Sequence, residues 1–270
     1  MDPRRKNPYR ANPRRKAENS FLRIVRLLAI AASIVVTFTV VYFLFIGSIN
    51  GDFLGYTIAA GTVLAIVVSV KPLEKKRLSD IGIRFRAVDM ALFLCGALIA
   101  ASWGIVYAIV APLADGSFVA PQAVDMLADP SRLLAYFPIP LAEEMFFRGY
   151  VLGNTFPRLK PWQRSLLAAG LFTIPHIIPD ADISSPVSIL AVCVFTFLFG
   201  ILLNLVVSFT ESIWLGFGLR WGYTYVFTAL FTDTDVQGFM VVVSIVLVLV
   251  FMLVFSGLIN TAKSCYHIQR

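Results

Sequence analysis

Apolar residues in this chain gather in runs close to the length a helix needs to cross a bilayer, about 20 residues. The runs cover 28–48, 53–70, 90–113, 134–155, 166–178, 187–208, 213–231 and 239–262. The pattern predicts an all-α, polytopic membrane protein with about eight transmembrane helices. The fifth run is short, and its Pro175 is expected to shift or bend the end of its helix.

The polar segments between the runs test this topology, because Lys and Arg collect in cytoplasmic loops. With eight crossings and a cytoplasmic N-terminus, the inner segments are 1–27, 71–86, 156–165 and 263–270, and they hold 20 of the 23 basic residues. The outer loops instead carry Asp52, Asp115, Asp125, Asp129, Asp180, Asp182, Asp233 and Asp235, with Arg132 as their one cation. Both termini are therefore expected in the cytoplasm.

Composition agrees with the pattern. The chain has 270 residues, of which 58% are hydrophobic and 14% charged, where a soluble domain carries about a quarter charged residues. The net charge of +7 needs no nucleic acid. The basic residues sit where anionic lipid headgroups attract them, above all in the tail over 1–27, where Pro-Arg-Arg-Lys occurs at 3–6 and again at 13–16. That tail is too polar and proline-broken to fold alone. The first apolar run lacks a signal-peptide cleavage site and is expected to stay in the membrane. Cys95, Cys193 and Cys265 form no CxxC pair and read as small apolar residues. The expected organisation is a disordered basic tail over 1–27, one transmembrane domain over 28–262 and a short cytoplasmic tail over 263–270. The plasma, or inner, membrane is the expected location.

The informative departure from apolarity is LAEEMFFRGY over 141–150, which places Glu143, Glu144 and Arg148 inside a span. Each unpaired charge at the bilayer centre costs roughly 2.5 kcal/mol or more, so such residues pair or mark a functional site. Glu144 and Arg148 stand four apart with the glutamate first, the favourable order for an ion pair along a helix. Glu143 then needs a partner from another helix. His176 is the single histidine within a run, and a hairpin through the 156–165 loop brings it to within about one helical turn of Glu143 in depth. A carboxylate and an imidazole sharing a water can do general acid–base work. Arg220 is a further intramembrane ion, with Thr224 on the same helical face. It either pairs with Glu143 or Glu144 or binds a substrate carbonyl or carboxylate.

EEMFFR at 143–148 followed by FTIPH at 172–176 resembles the EExxxR and FxxxH motifs of the CPBP family of intramembrane proteases, which includes the type II CAAX prenyl proteases and bacteriocin-processing-like members. FLFG at 197–200 and SIWLGFGLRWGYTY at 212–225 look like the family's closing segments, so the resemblance runs over 135–228. It implies an eight-helix endopeptidase in which Glu143 and His176 activate water and Glu144 and Arg148 support them. The family has been labelled metal-dependent, yet a glutamate mechanism without a fixed metal is the better-supported family view. One span histidine and two carboxylates are a poor zinc set, so no metal or other cofactor is expected.

The chain departs from the family at its last motif, HxxxN, whose His and Asn positions fall on Arg220 and Thr224. Losing an oxyanion donor in other hydrolases costs about 100 to 1000-fold in rate. Arg220 either replaces that donor or forms an ion pair with Glu143 that weakens it as a base. The leading expectation is an endopeptidase acting on membrane-anchored peptides or proteins. The alternative is a catalytically inactive CPBP-like scaffold that stabilises a partner. A small proton-coupled transporter is the remaining class, disfavoured by the lack of matching halves.

Overall fold

The computed structural model describes residues 51–73, 75–115, 129–155, 159–180 and 183–230, with scattered positions between 245 and 257. The first apolar run, most of the last, and both tails lie outside the described residues. Within them the fold is helical throughout, without strands.

Seven α-helices follow in order: α1 Gly51–Val68, α2 Ala87–Asp115, α3 Pro130–Ala135, α4 Pro138–Glu144, α5 Pro161–Asp180, α6 Pro186–Thr210 and α7 Trp214–Leu230. Two segments, Ala87–Val106 and Pro186–Thr210, are long and apolar enough to cross a membrane by length and composition. On α2 the large side chains Met90, Leu94, Leu98, Ile105 and Ile109 are all at least half exposed. They follow helical spacing, forming a stripe on one side. An apolar stripe of that length belongs against lipid.

The other side of α2 packs on α7 in the most extensive helix–helix contact of the fold. Small residues make this possible, as they do between helices in membranes, where backbones approach closely only if side chains are absent. A Cβ on Gly218 would enter the Phe93 carbonyl, and one on Gly222 would lie 2.8 Å from Ala100 Cβ. Gly96 of α2 meets the backbone of Leu215 and Leu219 in the same way. The paired residue numbers rise together, so α2 and α7 run parallel. Gly218 and Gly222 thus turn one face of α7 to α2, and Arg220 and Thr224, about 200° around the helix from them, face the opposite side.

The ends of these two helices are tied by polar contacts. Asp89, only 1% exposed, takes two hydrogen bonds from the Arg86 guanidinium and one from the Ser212 hydroxyl at 2.9 Å. The Trp214 indole N–H donates to the Arg84 carbonyl, and Ile213 N–H donates to the Gly82 carbonyl at 3.3 Å. This staple joins positions 123 residues apart and sets where α7 begins.

Two expectations change. The run over 134–155 is not one α-helix: it breaks at Tyr136 and Phe137, resumes as α4 and continues as a π-helical stretch, Met145–Thr155. Pro138 begins α4, where a missing N–H costs nothing. The fifth run, short as an apolar segment, forms the 20-residue helix α5, which runs through Pro175 to Asp180. α5 and α6 form an antiparallel pair in which a Cβ on Gly200 would lie 3.1 Å from Ala169 Cβ, and the Asn204 amide donates to the Ser165 carbonyl at 2.9 Å.

Candidate active site

Three helices bring the ionisable residues together. Glu143 and Glu144 are consecutive on α4, so their side chains leave the helix about 100° apart and enter different surroundings. Glu143 points toward α5 and α7, where its side chain keeps 20% of its exposure. Glu144 points inward and is fully buried.

Arg220 is the hub around Glu143. Its Nε–H donates to Glu143 Oε2 at 2.9 Å, its Nη2–H to His176 Nε2 at 2.8 Å and its Nη1–H to Thr224 Oγ1 at 2.9 Å. Charge-assisted hydrogen bonds of this length are the strong ones. His176 Nδ1 lies 2.7 Å from the Phe172 carbonyl. A carbonyl only accepts, so Nδ1 carries the hydrogen and Nε2 turns its lone pair toward Arg220. The Glu143 Oε1 to His176 Nε2 distance is 3.4 Å, an approach of two acceptors served by the same guanidinium. Of the two readings of Arg220, pairing with a glutamate is the one realised, and that glutamate is Glu143.

Glu144 and Arg148 make the expected ion pair at 3.0 Å, both side chains at zero exposure. It is proximity of charge without aligned hydrogen bonds, since neither Glu144 oxygen and none of the Arg148 nitrogens has a hydrogen-bonding partner of good geometry. The Arg148 guanidinium instead lies over the Phe172 ring at 4.1 Å, a cation–π contact worth up to about 2 kcal/mol when desolvated. Gly216 of α7 makes room for the carboxylate, since a Cβ there would stand 3.0 Å from Glu144 Oε2.

Phe172 therefore links the two clusters. Its ring carries Arg148 on one contact and packs on the His176 ring at 4.4 Å, while its carbonyl orients His176. All six residues singled out in the sequence lie in these two clusters. Phe172 belonged to the FTIPH segment, but its own role was missed. So were Asp89 and Ser212. Asp89 stands one residue before the third apolar run as read, yet falls in the first turn of α2, and an acid in that turn was the available signal.

The donor set does not suit a metal ion. Glu143 and His176 supply two ligands, and the Arg220 guanidinium stands within 3 Å of both, where it would repel a second cation. Among the described residues no group of three or more His, Cys, Asp or Glu could hold a metal.

Residues 130–226 match the family model Rce1-like, described as type II CAAX prenyl endopeptidase Rce1-like. This segment, just over a third of the chain, is similar to an Rce1-like domain. The match supports the CPBP reading and includes all six site residues and helices α3 to α6 with most of α7. Helices α1 and α2 fall outside the match, although α2 holds the helix that carries Arg220. Comparison with the curated proteins and with the solved structures found no match to this chain. The Rce1-like family and the two apolar helices mark the chain as a membrane protein.

Proposed function

We propose that this chain is an intramembrane endopeptidase that hydrolyses membrane-anchored peptides or proteins, with water activated by Glu143 and His176. The observation that carries the reading is the convergence of Glu143, His176 and Thr224 on Arg220, from three helices, at 2.8 to 2.9 Å, with Glu143 and His176 3.4 Å apart. Glu143 and Arg220 keep some exposure at the edge of this cluster, with His176 buried beside them, whereas the Glu144–Arg148 pair has none. Glu144 and Arg148 support the site from the interior. Arg220 occupies the position of the family's last-motif histidine and supplies a cationic donor for the oxyanion that forms as water adds to the peptide carbonyl. The reaction uses no metal. The protein resides in the plasma membrane, and its basic tail over 1–27 lies against anionic headgroups.

The test is cleavage of quenched-fluorescent, membrane-anchored peptides by the full-length protein in proteoliposomes, with Glu143→Gln and His176→Ala alongside. The reading expects cleavage by the wild type, insensitive to chelator and reduced in both variants. Wild-type silence across a broad peptide set refutes it.

A second reading has its own support. Arg220 engages one carboxylate oxygen of Glu143 and Nε2 of His176, an arrangement that also suits a CPBP-like scaffold that has left the chemistry and holds a partner protein. Restoring the family residues with Arg220→His, Thr224→Asn separates the two readings. A scaffold gains cleavage from that change, and an enzyme adapted to Arg220 does not need it.

A further inference from the structure

The far end of α1 carries a group of cations that the candidate active site does not use. Beyond Val68 the helix continues as a π-helical turn, Ser69–Leu73, and the chain then folds back. Lys75 takes the left-handed backbone form at φ 52°, a region that non-glycine residues seldom enter, and the Lys76 N–H closes on the Val70 carbonyl at 2.9 Å. The turn is anchored on its other side, where Ile81 and Ile83 are buried in the core and the Gly82 carbonyl accepts from Ile213 N–H. Lys71, Lys75 and Arg77 are exposed on this anchored turn.

These three side chains differ from the other cations nearby. Arg86 is matched by buried Asp89 at 2.7 Å, and the Arg84 Nε–H donates to the Ser79 carbonyl at 3.4 Å. Asp80 gives one carboxylate oxygen to the Arg77 backbone N–H at 3.0 Å. Among the described residues no acid forms an ion pair with Lys71, Lys75 or Arg77. The segment 71–77 holds Lys71, Lys75, Lys76 and Arg77 against a single acid, Glu74. Its surplus of positive charge repels itself, and a bound anion relieves that repulsion.

What lies beside the cations decides which anion fits. Leu64, 64% exposed, Val68, 45% exposed, and exposed Lys71 recur at helical spacing, so one face of α1 is an apolar stripe that ends in a cation. A free phosphate occupies only the charged end. A phospholipid occupies both, with an acyl chain along Leu64 and Val68 and its phosphate at the turn. On the topology expected from the basic residues this end of α1 lies at the cytoplasmic leaflet, the one that carries the anionic lipids. We infer that the inner end of α1 is a binding site for an anionic phospholipid, with Lys71, Lys75 and Arg77 holding the headgroup. The site is separate from the basic tail over 1–27, and it stands independently of the peptidase reading.

The experiment mixes full-length protein in a neutral detergent with phosphatidylglycerol or phosphatidylcholine of identical acyl chains. Bound lipid is read by native mass spectrometry, and thermal melts with each lipid or with inorganic phosphate run in parallel. A cation near an anionic headgroup is worth about fivefold in affinity. Lys71→Gln, Lys75→Gln and Arg77→Gln should therefore each weaken phosphatidylglycerol binding about fivefold, and the triple variant at least about tenfold, with phosphatidylcholine binding unchanged. Lys160→Gln, which removes an exposed cation outside the turn, should change it by less than about twofold. Phosphatidylglycerol should raise the wild-type melting midpoint, as a ligand of the folded state does, and raise it less in the triple variant. The single variants carry the test if the triple fails to fold. A triple variant that keeps the wild-type lipid preference overturns the inference and leaves the headgroups to the tail over 1–27. A Lys160→Gln loss equal to that of the single variants overturns it too, because binding would then follow net charge. Inorganic phosphate raising the midpoint as far as phosphatidylglycerol would reduce the site to one for a free ion, and the lipid assignment would fall.

Discussion

Two ionic clusters begin at neighbouring residues and end in opposite conditions. Glu143 joins a cluster from three helices in which Glu143 and Arg220 are half-buried, His176 is buried, and each side chain has a well-aligned hydrogen bond. Glu144 joins Arg148 within a single stretch of chain, fully buried, with charges close but hydrogen bonds unaligned. The first arrangement can trade partners with an incoming molecule because its members can be reached. The second cannot exchange anything and depends on every neighbour staying put, including the face of Phe172 and the bare backbone of Gly216. One helical step thus separates a cluster that keeps some exposure from a pair that has none.

Breaking the sealed pair is expected to have the largest effect. Removing one member of a fully buried ion pair costs about 3 to 5 kcal/mol because the other charge is left uncompensated, so Arg148→Met should lower the denaturation midpoint of the solubilised protein severely. Replacing both members, with Glu144→Leu and Arg148→Met together, should recover most of that loss. Arg220→Met is expected to be milder in stability and harsher in activity, the reverse ordering.

A gentler probe is Gly216→Ala, which pushes a methyl toward Glu144 Oε2 without touching Glu143. Overpacking of this kind costs about 1 to 3 kcal/mol, read as a midpoint shift, with the Arg220 hydrogen bonds kept. Thr224→Val removes one neutral acceptor from the guanidinium, worth about 0.5 to 1.5 kcal/mol. Its effect should appear in kcat as a loss of about tenfold or less, with stability nearly unchanged.

The smallest effect lies outside both clusters. Asp129 caps α3, accepting from the Ser131 hydroxyl at 2.7 Å and its N–H at 2.9 Å, and these bonds hold its carboxyl below the ordinary carboxylate range. Because the folded value is the lower one, the cap is at full strength above about pH 3.9 and is lost as pH falls further. Hydrogen exchange over 130–135 should quicken on acidification in the wild type and be uniformly fast in Asp129→Ala.

Much of the site was legible in the sequence because a helix converts spacing into direction. Glu144 and Arg148 four apart, Arg220 and Thr224 four apart, and Glu143 and His176 at similar distances from a hairpin loop all follow from 3.6 residues per turn. What was not legible depends on where separate helices touch. Nothing periodic announces that Gly218 and Gly222 seat α7 on α2, or that Ser212 reaches Asp89 across 123 residues. The π-helical turn after Glu144 escapes because apolar residues satisfy α- and π-geometry alike. The length of α5 escaped because its apolar run is short, while surrounding helices can hold a proline-bearing helix together through Pro175 to Asp180.

The most direct measurement is peptide cleavage in proteoliposomes by the wild type beside the Arg220→His, Thr224→Asn variant, on the same membrane-anchored substrates. The account predicts that the wild type cleaves and that the restored family residues bring no more than a modest change. Cleavage by the restored variant alone would contradict it, and would mean that Arg220 holds Glu143 and His176 together only to keep the fold.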